Sequence, residues 1–147
     1  MSENVKITLN DGMHLTGTTP AGEWTIPLDS DVSVGGQDKG HRPLDLLLVG
    51  LLGCMTMDTI SILRKKRQDF TLFEGEVMDI ERAADHPKTF TRLHLHFRAG
   101  GTNISEEALA RSLELSYTKY CPAAAMLKQG VEIEYSYEIV PVAEVAL

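Results

Sequence analysis

The sequence predicts an α+β fold, and three observations carry that reading. Both ends of the chain hold short segments in which apolar and polar residues alternate, the pattern of half-buried strands. A long apolar run in the middle opens at Pro43, a residue suited to the first turn of a helix because its missing N–H costs nothing there. Further on, Leu109, Leu113 and Tyr117 recur at spacings of four, a helical period. Strands in runs with helices segregated among them give an α+β class.

Composition sets the frame. With 147 residues, 43% apolar and 24% charged, the chain is expected to form one folded domain, 1–147, with a real core. A net charge of -7 argues against nucleic acid and anionic membrane as main partners. The segment "MSENVKITLNDG" has neither a basic n-region nor an apolar h-region, so no signal peptide is expected. The longest charge-free apolar run, Leu46 to Met57, is 12 residues, whereas a bilayer needs about 20. Two cysteines in a leaderless chain suggest the cytoplasm, where a disulfide is more often transient and catalytic than structural.

The elements follow in order. "NVKITLNDGMHLTGTT" reads as a hairpin, with Val5, Ile7 and Leu9 alternating and Asn10-Asp11-Gly12 turning the chain. "EWTIPL" is a third strand weakened by Pro27. "SVGGQDKGHRP" is a polar, Gly-rich loop. The long helix then runs from Pro43 to near Arg67, its last turn filled by Arg64, Lys65, Lys66 and Arg67, cations that suit the helix dipole. From Leu46 to Met57 it is apolar on all sides, which predicts a central helix covered on more than one face. Two strands follow around a turn at Asp85-His86-Pro87. The second has Phe90, Leu93, Leu95 and Phe97 on one face and Arg92, His94, His96 and Arg98 on the other. Ser105, Glu106 and Glu107 start a second helix, Cys121-Pro122 begins a short third one that stops at Gly130, and "VEIEYSYEIVPV" closes the chain as a strand. The order is β-β-β-α-β-β-α-α-β, with antiparallel strands.

Several chemistries are weighed and set aside. His94 and His96 share a strand face at a spacing that can serve zinc, but two ligands do not make a site, and no metal or cofactor is expected. The sulfurs of Cys54, Met55 and Met57 point in different directions on a helix and read as core packing. There is no Gly-x-Ser-x-Gly elbow, no Gly-x-Gly-x-x-Gly and no P-loop.

That leaves the two cysteines. Cys54 taken alone fits the packing role of a small buried hydrophobe. Its neighbours on the same helical face are Gly50, Leu51, Met57 and Asp58. Gly50 leaves a notch beside the thiol, and Asp58 would oppose a thiolate. Cys121 precedes a proline at a helix start and has Lys119 nearby, so local electrostatics nominates it as the easier thiolate. The two are 67 positions apart, and they can bond only if the fold brings their Cα atoms within about 7 Å.

"GGQDKGHRPLDLLLVGLLGC" followed by "YCPAAAML" resembles the OsmC/Ohr superfamily, over about Gly35 to Leu127. The shared features are the Gly-Gly loop, the proline opening a long apolar helix, an acidic residue two places after it, a cysteine eleven places after it, and a late Cys-Pro. The resemblance implies long central helices packed between antiparallel sheets of an intertwined homodimer. It also implies a cysteine-based peroxide reductase in which Cys54 attacks an organic hydroperoxide and becomes a sulfenic acid. Cys121 resolves that acid to a disulfide, and a dithiol reductant reduces the disulfide. This ordering reverses the one from local electrostatics. Two departures stand out. The peroxidase branches carry a glutamate directly after the helix-opening proline, where this chain has Leu44, followed by Asp45. Their activating arginine comes from the N-terminal strands, and this chain has none before Arg42. Arg42 is the best replacement cation and Lys39 the second, ahead of Lys6. The expected pocket is apolar, formed by Leu47, Gly50 and Leu51 with Asp58 beside it. The alternatives are a carrier of a small apolar ligand with silent thiols, and a slow thiol redox sensor.

Overall fold

The computed structural model describes residues 4–141. Residues 1–3 and 142–147 lie outside the described residues, among them Val142 of the expected last strand. The strands are β1 (Lys6–Asp11), β2 (His14–Thr18), β3 (Thr25–Leu28), β4 (Leu72–Arg82), β5 (Phe90–Gly100) and β6 (Glu132–Ile139). The helices are α1 (Pro43–Lys65), α2 (Glu106–Leu115) and α3 (Pro122–Leu127). This is the predicted order. Two short pieces are added, a 3₁₀ turn at Val32–Val34 and a wide π-type turn at Ser116–Tyr120 between α2 and α3. The chain divides into two compact units, Met1–Val49 and Gly50–Leu147, and the boundary falls inside α1.

The first unit holds an antiparallel sheet in the order β1-β2-β3. Pro27 is accommodated because β3 is an edge strand, where a missing N–H need not break a ladder. The Gly-rich loop after β3 is wound around Asp29, which is only 3% exposed. Its carboxylate accepts the backbone N–H groups of Ser30, Lys39 and Gln37 at 2.7, 3.1 and 3.3 Å. Burial works to raise this carboxyl, but those donors outweigh it and hold the group below the usual carboxylate range. The glycines of the loop answer to close backbone approach. A Cβ at Gly36 would lie 1.8 Å from the Ser30 carbonyl oxygen, and one at Gly40 would lie 2.7 Å from the backbone of Leu28.

In the second unit β4 pairs antiparallel with β5, as expected, but β5 pairs parallel with β6. The expectation of purely antiparallel sheets is therefore corrected. Parallel neighbours need a long crossover, and α2, the π-type turn and α3 supply it. Leu93, Leu95 and Phe97 of β5 are fully buried with Leu109 and Leu113 of α2 and Leu51, Met55 and Leu63 of α1. The sequence places Phe90 on the same strand face as Leu93. Phe90 is buried as Leu93 is, and the register shift, which leaves Thr91 as an extra residue between the pairs Arg82–Phe90 and Glu81–Arg92, returns it to that face.

This chain by itself covers α1 on one face. Leu51, Met55, Thr59 and Leu63 are fully buried and form a single face at spacings of four. Leu47, Val49 and Met57 are 51%, 62% and 75% exposed. The apolar ring is thus covered on one face rather than on several. By length and composition α1 would also suit a bilayer, with a mean hydropathy of 2.0 over 18 residues. Its buried face and its hydrogen-bonded Asp58 are those of a core helix.

Candidate active site

Cys54 and Asp58 sit one turn apart on α1, and Cys121 arrives at the start of α3. The two sulfurs and a carboxylate oxygen of Asp58 all lie within 4.8 Å of one another. The route of the chain explains how Cys121 reaches them. After α2 the backbone widens, and the Cys121 N–H donates to the Ser116 carbonyl at 2.8 Å across five residues. Such π-type turns are rare and concentrate at functional sites. Cys121 then turns extended (φ -82°, ψ 107°), and Pro122 opens α3. The Cys121 sulfur accepts the Ala124 N–H at 3.3 Å and so caps the helix it begins. At the other end of the turn, the buried Ser116 hydroxyl lies 3.0 Å from Asp58 Oδ2 as donor and 3.4 Å from the Met55 carbonyl. The wide turn is therefore tied to α1 through Ser116 while delivering Cys121 to the same helix.

The environments of the two thiols differ. Cys121 is 2% exposed, whereas Cys54 is half-buried. Burial, reinforced by the Cys54 side chain as hydrogen-bond partner and neighbouring charge, pushes the Cys121 thiol up to about 11. The Ala124 and Ala123 N–H groups pull the other way and lose. Burial thus works against the expected ease of ionising Cys121, because α3 is only 6 residues long and desolvation exceeds what its N-terminus offers. Cys54 is the thiol with access to solvent.

The remaining predicted residues fall in different places. A Cβ at Gly50 would meet nothing within 4 Å, so the expected notch is open, and Gly53, which the sequence reading passed over, is equally open. Leu51 is fully buried in the core and presents no surface to a ligand, a correction to its expected place in a pocket wall. Leu47 is exposed on the part of α1 that belongs to the first unit. Arg42, also in that unit, is held by its own loop. Its guanidinium meets Asp38 at 2.6 Å and Asp31 at 3.8 Å, and donates to the Gly40 and Asp29 carbonyls at 3.2 and 3.5 Å. Lys39 gives its backbone N–H to Asp29.

The structure also adds residues. A cavity of about 430 Å³ is lined by Asp58, Ser61, Ile62, Lys65, Leu115 and Tyr120. The sequence marks Lys65 only as a helix-end cation, and it does not mark Ser116 or Tyr120, since the π-type turn that sets them in place has no periodic signal of its own. His94 and His96, the rival metal pair, are engaged across the sheet: both rings contact Ser136 Oγ, at 3.0 and 2.7 Å, and His96 reaches Glu138 at 3.1 Å. Among the described residues, the group with three metal-ligating side chains in reach of one ion is Cys54, Asp58 and Cys121.

Comparison with known proteins adds a family. The family model described as OsmC-like protein matches residues 36–136. Protein YhfA of Escherichia coli is 40% identical over 103 residues, covering 70% of this chain and 76% of that protein. A crystal structure of a hypothetical protein from Aquifex aeolicus superposes with a TM-score of 0.81 at 29% identity, covering 94% of this chain and 96% of that one. An organic hydroperoxide resistance protein from Elizabethkingia anophelis has the same fold, with a TM-score of 0.69 at 13% identity, covering 95% of this chain and 99% of that one.

Proposed function

The chain belongs to the OsmC-like protein family, and from that premise we propose that it is a cysteine-based reductase of organic hydroperoxides, with Cys54 attacking and Cys121 resolving. One observation carries this reading: two cysteines 67 positions apart stand with their sulfurs within 4.8 Å, one accessible and one buried. In this reading the Cys54 thiolate attacks the terminal peroxide oxygen. The O–O bond breaks, the organic alkoxide takes a proton and leaves as an alcohol, and Cys54 becomes a sulfenic acid. The Cys121 thiol then displaces water from that sulfur and forms the disulfide, which a dithiol reductant opens by exchange. Keeping Cys121 protonated until its turn suits a resolving thiol, since it does not compete for the peroxide.

Gly50 and Asp58 are the substrate-side residues of the second unit in this reading, with Leu51 withdrawn into the core. The uncovered apolar face of α1 is taken by a second copy of the chain, which gives a homodimer. The protein works in the cytoplasm, where dithiol reductants are maintained. A second reading is favoured by the cavity beside Asp58, whose Ile62, Leu115 and Tyr120 walls would hold a small apolar ligand without any thiol chemistry.

Thiol titration and intact mass after one equivalent of an organic hydroperoxide separate the two. The reductase loses both thiols and the mass of two hydrogens. A silent carrier keeps both thiols and its mass.

A further inference from the structure

We propose that Cys54, Cys121 and Asp58 form a binding site for a thiophilic divalent ion of the zinc class, open to it only while both thiols are reduced. The site shares its sulfurs with the proposed reductase but does not depend on that activity.

The donor set comes first. Two sulfurs and a carboxylate oxygen within 4.8 Å of one another form a compact triangle. A tetrahedral zinc with Zn–S of about 2.3 Å and Zn–O of about 2.0 Å sets its donors roughly 3.5 Å apart, so closing the triangle takes shifts of about an ångström. Sulfur donors select zinc-like ions over magnesium and calcium, which require oxygen.

Two of the ligands already have the outer contacts that metal ligands need. The Ala124 N–H points at the Cys121 sulfur, where it would support a thiolate. The Ser116 hydroxyl holds Asp58 Oδ2, fixing the carboxylate while its other oxygen stays available. These contacts come from separate segments, α3 and the π-type turn, and converge on one point of α1. The cavity lined by Asp58 reaches the carboxylate member of the triangle, and the half-buried Cys54 is the sulfur with access to solvent.

The chemistry balances simply. Binding releases the two thiol protons to solvent and leaves sulfur in its reduced state. The disulfide offers no thiolate and cannot hold the ion. Conversely, a bound ion occupies the Cys54 sulfur and shields it from peroxide. Metal occupancy and peroxide chemistry therefore exclude one another at the same atoms.

The test uses the full chain, reduced and freed of metal by a chelator, titrated with Co²⁺ and then with Zn²⁺ as competitor, in the absence of peroxide. The expected result is one Co²⁺ per chain, with thiolate-to-metal charge-transfer absorption and the visible bands of a tetrahedral site, displaced by one equivalent of Zn²⁺. Cys54→Ser and Cys121→Ser abolish the charge-transfer band, and a serine at 121 still offers an oxygen to cap α3. Asp58→Asn keeps an acceptor for Ser116 and weakens binding, and Ser116→Ala weakens it by about tenfold to a hundredfold. Circular dichroism confirms that each variant is folded. Reduced protein that gives no charge-transfer absorption overturns the proposal, as does binding that survives Cys54→Ser or oxidation to the disulfide. Because no peroxide is present, a failed titration leaves the reductase reading standing, and a failed peroxide assay leaves this one standing.

Discussion

Asp29 and Asp58 are both carboxylates set among backbone turns, and they are used in opposite ways. Asp29 is nearly inaccessible, and its two oxygens receive three backbone N–H groups from the loop that it organises. Asp58 is half-buried, accepts one hydroxyl from Ser116, and faces two sulfurs and a cavity. An ionised carboxylate has about four lone-pair sites. At Asp29 most are taken by the chain, so the group fixes a conformation and has little left to offer. At Asp58 most are free, so the group can meet a ligand, a proton or an ion. The difference separates a carboxylate that builds the fold from one that the fold leaves available.

The largest expected effect lies beside Asp58. Cys54→Ser should remove all peroxide consumption, while Cys121→Ser should allow a single oxidation per chain and then stop, read as one equivalent of hydroperoxide consumed. If Cys121→Ser blocked the first oxidation and Cys54→Ser did not, the roles of the two sulfurs would be exchanged.

Next come the carboxylates themselves. Asp29→Ala strips the acceptor from three backbone donors at once and removes the part-buried bonds that fix the loop. It should lower the urea midpoint clearly. Asp58→Ala frees one hydroxyl and should move the midpoint much less, while changing peroxide turnover and Co²⁺ affinity. Equal losses of stability in the two variants would erase the distinction between them.

A smaller effect is expected from pH. The Cys121 thiol is pushed from 9.0 to about 11 in the folded chain, chiefly by burial. The folded state therefore holds a proton that the unfolded state releases first. That contribution to stability is complete below pH 9.0 and fades as the pH rises toward about 11. Melting of the reduced protein should fall over this window, and Cys121→Ser should flatten the fall. Alkylation should reach Cys54 well before Cys121 at neutral pH.

Much of the fold was legible because periodicity reports it directly. The hairpin, with its turn at Gly12-Met13 rather than Asn10 to Gly12, the third strand with Pro27, the start of α1 at Pro43 and the start of α2 after Ser105 are all present, Ser105 accepting the Ala108 N–H at 3.1 Å. The parallel pairing of β6 was not legible, since alternation fixes the faces of a strand and not its direction. The apolar ring of α1 shows what can be buried, and this chain by itself buries one face of it. At the site, the sequence named Cys54, Cys121 and Gly50, and local sequence made Cys121 the easier thiolate, whereas burial pushes that thiol up. Local sequence shows a helix start next to Cys121, and only the packed structure shows the desolvation that outweighs it. Ser116 was invisible because it acts through a π-type turn, and the grouping of Asp58 with both sulfurs depends on contacts 63 positions apart in sequence.

The smallest effect concerns Arg42, which sharpens the comparison from the other side. Thiolate attack on a peroxide benefits from a cation near the developing alkoxide. Arg42 was the candidate from sequence, yet its guanidinium is already shared among Asp38, Asp31 and two carbonyls of the loop organised by Asp29. To serve the reaction it would have to exchange Asp38 for the alkoxide, and an exposed ion pair of this kind is weak enough to be exchanged. Arg42→Ala should therefore reduce hydroperoxide turnover severalfold with little change in the urea midpoint, and Lys6→Ala should change neither. Arg42→Lys, which restores the charge but not the fork of donors, should recover part of the loss. If Arg42→Ala leaves turnover unmoved while Lys65→Ala lowers it, the assisting cation is the lysine that lines the Asp58 cavity. Arg42 would then belong with Asp29, as part of the loop's architecture alone.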